Sequence, residues 1–271
     1  MRFGFSTLGC PAWTAEQAVD AAVHLGYDGI EWRLLDGNII DPVKDRERVK
    51  QAVALSRAHG IDACALDTSC RFNLPDARAR EQQLADLRAW IELAQVVQTP
   101  LLRVFGGADP ADGPTASEDE VNGWVGDALR AAAPDAERAG VTVALETHDA
   151  FSSARRTAAV LRLAPSPNVG AVWDSHHPYR VGETPEEVIA ALGRRIVHVH
   201  VKDARRKAPD SNDWQLVLMG EGEVPVREQL QSLQRHGYDG WVCVEWEKKW
   251  HPEIPEPEVA FPQHLAWLRS V

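Results

Sequence analysis

Eight short apolar runs, each followed by a stretch of helical periodicity, organise the 271 residues of this chain. The runs fall at 2–6, 29–32, 61–66, 101–105, 141–146, 169–174, 196–201 and 241–245. Helical patterns fill 14–25, 45–59, 77–97, 117–138, 152–164, 184–193, 225–236 and about 260–270. The pattern is clearest over 77–97, where Leu84, Leu87, Ile91 and Ala94 recur at helical spacing. Several ends carry chemical markers. Thr14 caps the first helix and Gly26 stops it. Thr184-Pro185-Glu186-Glu187 opens the sixth with a capping hydroxyl, a proline where no amide is needed, then acids that suit the helix dipole. Eight strands alternating with eight helices predict one α/β domain over 1–271, a (β/α)₈ TIM barrel with eight parallel strands inside an outer ring of helices. A doubly wound sheet is the rival architecture, but eight complete units and no Gly-x-Gly-x-x-Gly turn count against it. Gly26-Tyr-Asp-Gly and Gly237-Tyr-Asp-Gly both lead into a strand carrying Glu-Trp, an echo too short to establish repeats.

Alternation along a strand sends side chains of one parity to one face. In Val197-His198-Val199-His200-Val201-Lys202-Asp203 the valines face one way, and His198, His200 and Lys202 the other. Other runs end in carboxylates: Glu146 on the fifth, Asp174 on the sixth, Glu245 on the eighth. Barrel enzymes place their chemistry where strands end and βα loops begin. Three carboxylates and an imidazole at four successive strand ends would repel or desolvate one another without a cation. The pattern therefore predicts a site for one divalent metal, Mn²⁺, Mg²⁺, Co²⁺ or Zn²⁺, with positions left open for substrate oxygens. Ser6, Cys10, Glu31 and Asp67 fall at the ends of the first three strands.

Composition narrows the partners. Lys plus Arg number 29 against 40 Asp plus Glu, a net charge of −11, which disfavours a phosphate-backbone binder. Cys10, Cys64, Cys70 and Cys243 form no Cys-x-x-Cys pair and read as reduced core residues of a cytoplasmic protein. Met1-Arg-Phe-Gly-Phe-Ser runs directly into a strand without a signal peptide, and no apolar stretch reaches the roughly 20 residues of a membrane span.

Taken together, Ala144-Leu-Glu-Thr-His-Asp149, Trp173-Asp-Ser-His-His-Pro178, His198-Val-His-Val-Lys-Asp203, Gly220-Glu-Gly-Glu-Val224 and Val244-Glu-Trp-Glu247 carry a resemblance. They resemble the sugar phosphate isomerase/epimerase group of the xylose-isomerase-like TIM barrels, over essentially the whole chain. The resemblance implies Glu146, Asp174, His200 and Glu245 as metal ligands. It implies Glu146 and Glu245 as the proton-transferring residues acting through an enediolate, and His177, from the Asp-x-x-His spacing, as a substrate-side histidine. It also implies a carbohydrate-like small-molecule substrate and is compatible with a homo-oligomer.

Further candidates follow from position. His148 lies two residues beyond Glu146 on the same face, a substrate contact. His198 sits deeper than His200, suited to support rather than ligation. Glu31 is expected to hydrogen-bond substrate or support the ligands. His176 alternates away from His177. Lys202 and Asp203 either orient substrate or pair with neighbours. Arg205-Arg-Lys207 opens a long loop to Gly222, placed for a lid or an anion clamp with Arg205 as a substrate contact. Trp13, Phe72 and Trp246 are candidate pocket walls, and His24, His59, His236 and His264 read as surface or packing residues. The function expected is isomerisation or epimerisation of a sugar, sugar phosphate or related keto-polyol. A dehydratase of the inosose or dehydroshikimate type is the alternative, since both begin by removing a proton beside a carbonyl. A binding barrel without catalysis is a weaker third. A nuclease of the endonuclease IV type would need histidines after strands three and four, where Asp67-Thr-Ser-Cys-Arg-Phe72 and Arg103-Val-Phe-Gly-Gly107 have none.

Overall fold

The computed structural model describes residues 1–109, 116–209 and 211–271; the Pro/Asp-rich stretch after Gly107 lies, over 110–115, outside them. Eight strands form the barrel: Arg2–Ser6 (β1), Gly29–Trp32 (β2), Asp62–Arg71 (β3), Leu101–Phe105 (β4), Thr142–Glu146 (β5), Val169–Asp174 (β6), Ile196–Val201 (β7) and Trp241–Val244 (β8). Each pairs in parallel with its sequence neighbour, and β1 closes on β8. The helices are Ala15–Leu25 (α1), Arg46–Ala58 (α2), Ala77–Val97 (α3), Glu118–Ala139 (α4), Ala154–Leu163 (α5), Pro185–Leu192 (α6), Val226–Arg235 (α7) and Pro257–Leu268 (α8). Among the described residues no helix is long and apolar enough to cross a membrane.

Local chemistry explains these boundaries. Thr14, Ser117 and Thr184 each accept the amide three residues on, while Gln17, Glu120 and Glu187 return a bond to the cap. Gly26, at φ 85°, ends α1 in the left-handed region that a β-carbon disfavours. The last helix starts at Pro257, earlier than its apolar pattern suggests, because proline suits the first helical position. Strand β3 runs on to Arg71 through polar residues that read as loop, with its pairing to β4 irregular between Asp67 and Arg71. Two antiparallel hairpins, Leu34–Leu35 with Asn38–Ile39 and Asp203–Arg206 with Trp214–Val217, were not legible as strands. The second occupies most of the expected loop between Arg205 and Gly222.

Register carries one face of every strand into the barrel interior. Glu146 is level with Val172, Asp174 with His200, and His200 with Cys243. Lower in the barrel the interior is a small apolar cluster of Ala65, Leu101, Ala144 and Val172. Two residues further along the same faces come Asp67, Arg103, Glu146 and Asp174. The barrel is thus apolar below and ionisable above. The main core lies outside, between strands and helices, and holds Phe72 and Trp246, so both belong to packing there. All four cysteines are buried and free.

His264 on α8 is fully buried against the Trp246 ring at 5.0 Å, and neither ring nitrogen has a partner. Burial pulls its pKa from 6.5 down to about 3, so the folded state keeps it neutral. The unfolded chain protonates this histidine first, so its contribution is intact above about pH 6.5 and falls away as pH drops toward 3. His264→Leu is expected to remove about 2 kcal/mol of the acid sensitivity at pH 5. Urea unfolding of both proteins at pH 7 and pH 5 checks this; parallel losses in the two would refute it.

Candidate active site and metal centre

Glu146, Asp174, His200 and Glu245 present ligand atoms that all lie within 4.8 Å of one another, and all four residues are buried. His200 Nδ1 lies 2.8 Å from Glu146 Oε1 and 3.4 Å from Glu245 Oε1. Asp174 Oδ1 accepts the amides of His176 at 2.8 Å and His177 at 2.9 Å, which fixes the carboxylate at the start of the one-turn helix His177–Arg180. Asp174 Oδ2 and Glu146 Oε2 are buried without a hydrogen bond. Burial lowers His200, but Glu31, Glu245 and Glu146 outweigh it and lift its pKa well above the usual imidazole range. Burial of Asp174, with Glu245 and Glu146 nearby and Lys202 opposing, raises its carboxyl to about 6. The nest demands positive charge. Oxygen-rich donors with one imidazole nitrogen, whose outer oxygens at Asp174 and Glu146 meet only the Lys202 and Arg103 cations at 3.1 and 3.3 Å, fit a divalent metal.

A hydrogen-bonded layer lies below this cluster. Glu31 Oε2 accepts from His198 Nε2 at 2.7 Å and from His200 Nε2 at 3.0 Å. Burial opposes the Glu31 charge, yet His200 and His198 hold its carboxyl well below its usual range. Glu31 and His198 are therefore fully buried supports of His200. Arg103 on β4, which the strand pattern did not single out, reaches Asp67 Oδ2 and Glu146 Oε2, both at 3.3 Å. Its guanidinium also covers the Phe105 ring at 4.0 Å. Burial disfavours the Glu146 charge, but His200 and Arg103 keep its carboxyl far below the usual range. A lone arginine in an apolar run was the available signal, since a buried guanidinium needs carboxylate company.

Lys202 is buried among three carboxylates, with Nζ at 3.1 Å from Asp174 Oδ2 and 2.5 Å from both Glu245 Oε2 and Glu247 Oε1. Asp203 takes a different part. It accepts the amides of Gly220 and Gly222, both at 2.9 Å, and of Val224 at 3.2 Å, pinning the loop ahead of α7. A β-carbon at Gly222 would meet Asp203 Oδ1 at 2.0 Å, so glycine is required there.

Rings line one side above the ligands: Phe105 on His148 at 4.9 Å, His148 on His177 at 4.3 Å, and His176 on Trp214 at 4.9 Å. Both His177 ring nitrogens are buried without partners. His148 Nδ1 lies 3.1 Å from Asp149. His176 is buried against Trp214 rather than exposed, and burial lowers its pKa to about 3. Arg205 stands apart from the ligand cluster, exposed on the hairpin opposite Gln215. Trp13 donates its indole N–H to Glu258 at 2.9 Å and packs on Phe261. A surface concavity of about 830 Å³ contains none of these residues; Ile189, Arg194, Val197, Leu233 and Tyr238 line it around the start of β7.

Residues 19–271 match the family described as xylose isomerase-like TIM barrel. The chain belongs to that family. It is 25% identical over 255 residues to fructoselysine 3-epimerase of Shigella flexneri, covering 90% of each chain. It is 32% identical over 112 residues to inosose dehydratase of Bacillus licheniformis, covering 37% of this chain and 35% of that one. Its fold superposes on the IOLI protein with a binding zinc atom at a TM-score of 0.81 and 19% identity, over 98% of this chain and 96% of the other.

Proposed function

We propose that this enzyme is a divalent-metal-dependent isomerase or epimerase of a sugar-like keto-polyol, with Glu146 and Glu245 transferring the proton. The convergence of Glu146, Asp174, His200 and Glu245 at four successive strand ends carries the reading. These residues would hold Mn²⁺, Mg²⁺, Co²⁺ or Zn²⁺. When bound, the cation supplies charge stabilisation to the substrate's carbonyl and hydroxyl oxygens and acidifies the adjacent C–H.

The chain's own residues do the rest. Glu31 accepts a hydrogen bond from His200 Nε2–H, so the proton that a metal would displace is the one on Nδ1, which faces the ligand cluster. Lys202 and Arg103 hold the outer oxygens of Glu245 and Glu146, which fixes both carboxylates before substrate arrives. One glutamate removes a carbon-bound proton and the other returns one. Return to the opposite face of the same carbon epimerises; return to the neighbouring carbon, with the hydroxyl proton passing to the former carbonyl oxygen, isomerises. Neutral His177, with two unpartnered ring nitrogens, is placed to donate to one substrate hydroxyl and accept from another. Glu31→Gln is expected to weaken metal binding about 10–100-fold with the fold retained, measured by metal titration; unchanged affinity would remove Glu31 from this role.

The dehydratase reading draws on the 32% identity, over 37% of this chain, to a protein named inosose dehydratase; a dehydratase here would begin with the same proton removal and go on to lose a hydroxyl. Elemental analysis of purified protein, then solvent deuterium uptake by ketoses in the metal-loaded enzyme, tests the proposal. About one metal per chain, weakened in Asp174→Asn and Glu245→Gln, with deuterium at the carbon beside the carbonyl, is the expected result. Loss of water from the product would select the dehydratase. No metal uptake from any of the four ions would end both.

A further inference from the structure

We propose that Arg33 binds the substrate, taking two neighbouring oxygens at the end that lies away from His177. This rests on reading the site as a metal-dependent sugar-processing centre, and the place, anchoring and free edge of Arg33 carry it. Glu31 faces the barrel interior, where it meets His198 and His200. Arg33, two residues on, continues that face at the rim where the strands end. Trp32 is level with Leu66, which brings Arg33 level with Asp67, and Asp67 is level with Arg103. Arg33 thus begins an inward row across β2, β3 and β4. Strands β2 and β6 are four steps apart either way round the closed barrel, and His177 follows β6. Glu31 reaches His200 across that interior, so the ligand cluster lies between the two sides. A substrate centred on the cluster has one end toward His177 and the other toward Arg33.

The side chain is held in advance. The Thr7 hydroxyl accepts the amides of Arg33 at 2.9 Å and Leu34 at 2.8 Å, which fixes the backbone leaving β2. Nη1 donates to the Asp67 carbonyl at 3.2 Å and to the Ser69 hydroxyl at 2.9 Å. These contacts use one nitrogen of the guanidinium. Among the described residues Nε and Nη2 meet no acceptor, and neither is sealed from solvent, although the residue as a whole is only 6% exposed. Arg103 differs. It pairs with Asp67 and Glu146 and gives Nη1 to the Thr68 carbonyl, and it is 1% exposed.

Burial lowers the Arg33 pKa to about 10, still far above neutrality, so the side chain keeps all its N–H donors. Nε and Nη2 form one edge of a planar group, with N–H bonds that suit two oxygens side by side. A vicinal diol and a carboxylate both offer such a pair. Because Thr7 and the β3 contacts fix the arginine before substrate arrives, little of its freedom is left to lose on binding. The contact selects by reach: a ketone too short to span the cluster gains nothing from it.

The test titrates three ligands into the metal-loaded full chain, with binding followed by NMR of the ligand at matched metal content. They are a ketohexose, the hexuluronate with a carboxylate in place of its terminal hydroxymethyl, and dihydroxyacetone, which is too short to reach Arg33. Arg33→Met is expected to weaken the longer ligands by at least about tenfold, the loss of a hydrogen-bonded pair to a charged group. Dihydroxyacetone is expected to stay within about twofold. The larger loss, for hexose or for hexuluronate, identifies the oxygen pair as diol or carboxylate. Arg33→Lys keeps the charge without the paired edge, and is expected to give the same pattern with a midpoint close to wild type. It carries the comparison should the methionine variant fail to fold. Equal weakening of all three ligands would show that Arg33 only supports the site, and would overturn the proposal, as would no weakening of any. Arg33-dependent binding without deuterium uptake by any ketose would sink the proposed reaction and leave the contact standing.

Discussion

Glu146→Gln is expected to lower turnover by about a thousandfold while the barrel still folds cooperatively. The substitution keeps shape and size but replaces an acceptor oxygen with an amide that cannot take a proton. One carboxylate oxygen now faces His200 Nδ1 at 2.8 Å and the other faces Arg103 Nε at 3.3 Å. In the metal-free chain, where both His200 nitrogens carry protons, either orientation of the glutamine sets an NH₂ donor against one of those donors, so one contact becomes repulsive. The local cost is about 1–3 kcal/mol, small beside the stability a chain of this size carries. The measurement pairs deuterium uptake into a ketose with urea unfolding and metal content. Turnover near the wild-type value with metal retained would take Glu146 out of the mechanism. A collapse of folding instead would show that its structural part is the larger one.

Lys202→Met is expected to cause the largest loss of stability among the site residues, about 3–5 kcal/mol. The ammonium is buried and sits among Asp174, Glu245 and Glu247, so its removal leaves three carboxylates facing one another in a low-dielectric interior. For a protein of this length the loss corresponds to a fall of about 10 °C in midpoint. Saturating divalent metal is expected to recover part of it, because a second cation compensates Asp174 and Glu245 and binds only the folded chain. Lys202→Arg should recover less than the native lysine, since a planar fork cannot meet three converging carboxylates as a compact ammonium does. Thermal unfolding with and without metal decides; a midpoint unchanged from wild type would show that the bridge contributes nothing net.

Much of the site was readable because a strand's side chains alternate and barrel strands end at one rim. His198, His200 and Lys202 share a face by parity alone, and Glu146, Asp174 and Glu245 close their runs at matching places. What parity could not assign was partnership. Lys202 could have met substrate or neighbours, and three carboxylates now surround it. Glu31 could have touched substrate, and it lies fully buried beneath His200. Arg103 carries no mark in the strand pattern, because a lone arginine inside an apolar run acquires carboxylate partners only once the barrel closes. The stretch around Arg205 reads as a long loop because Trp214–Val217 is a short polar-apolar segment whose ladder depends on its partner strand.

The sequence by itself determined the order of eight strand–helix units, the capped helix starts, and the rim at which the ionisable residues gather. Those are consequences of local periodicity and capping, which act over a few residues. Only the tertiary structure decided which of those residues meet. Glu31 and His200 are 169 positions apart and bond because the closed barrel brings β2 and β7 to face one another across its interior. Barrel closure also brings Arg103 and Lys202 among carboxylates from other strands, partners that no single segment contains.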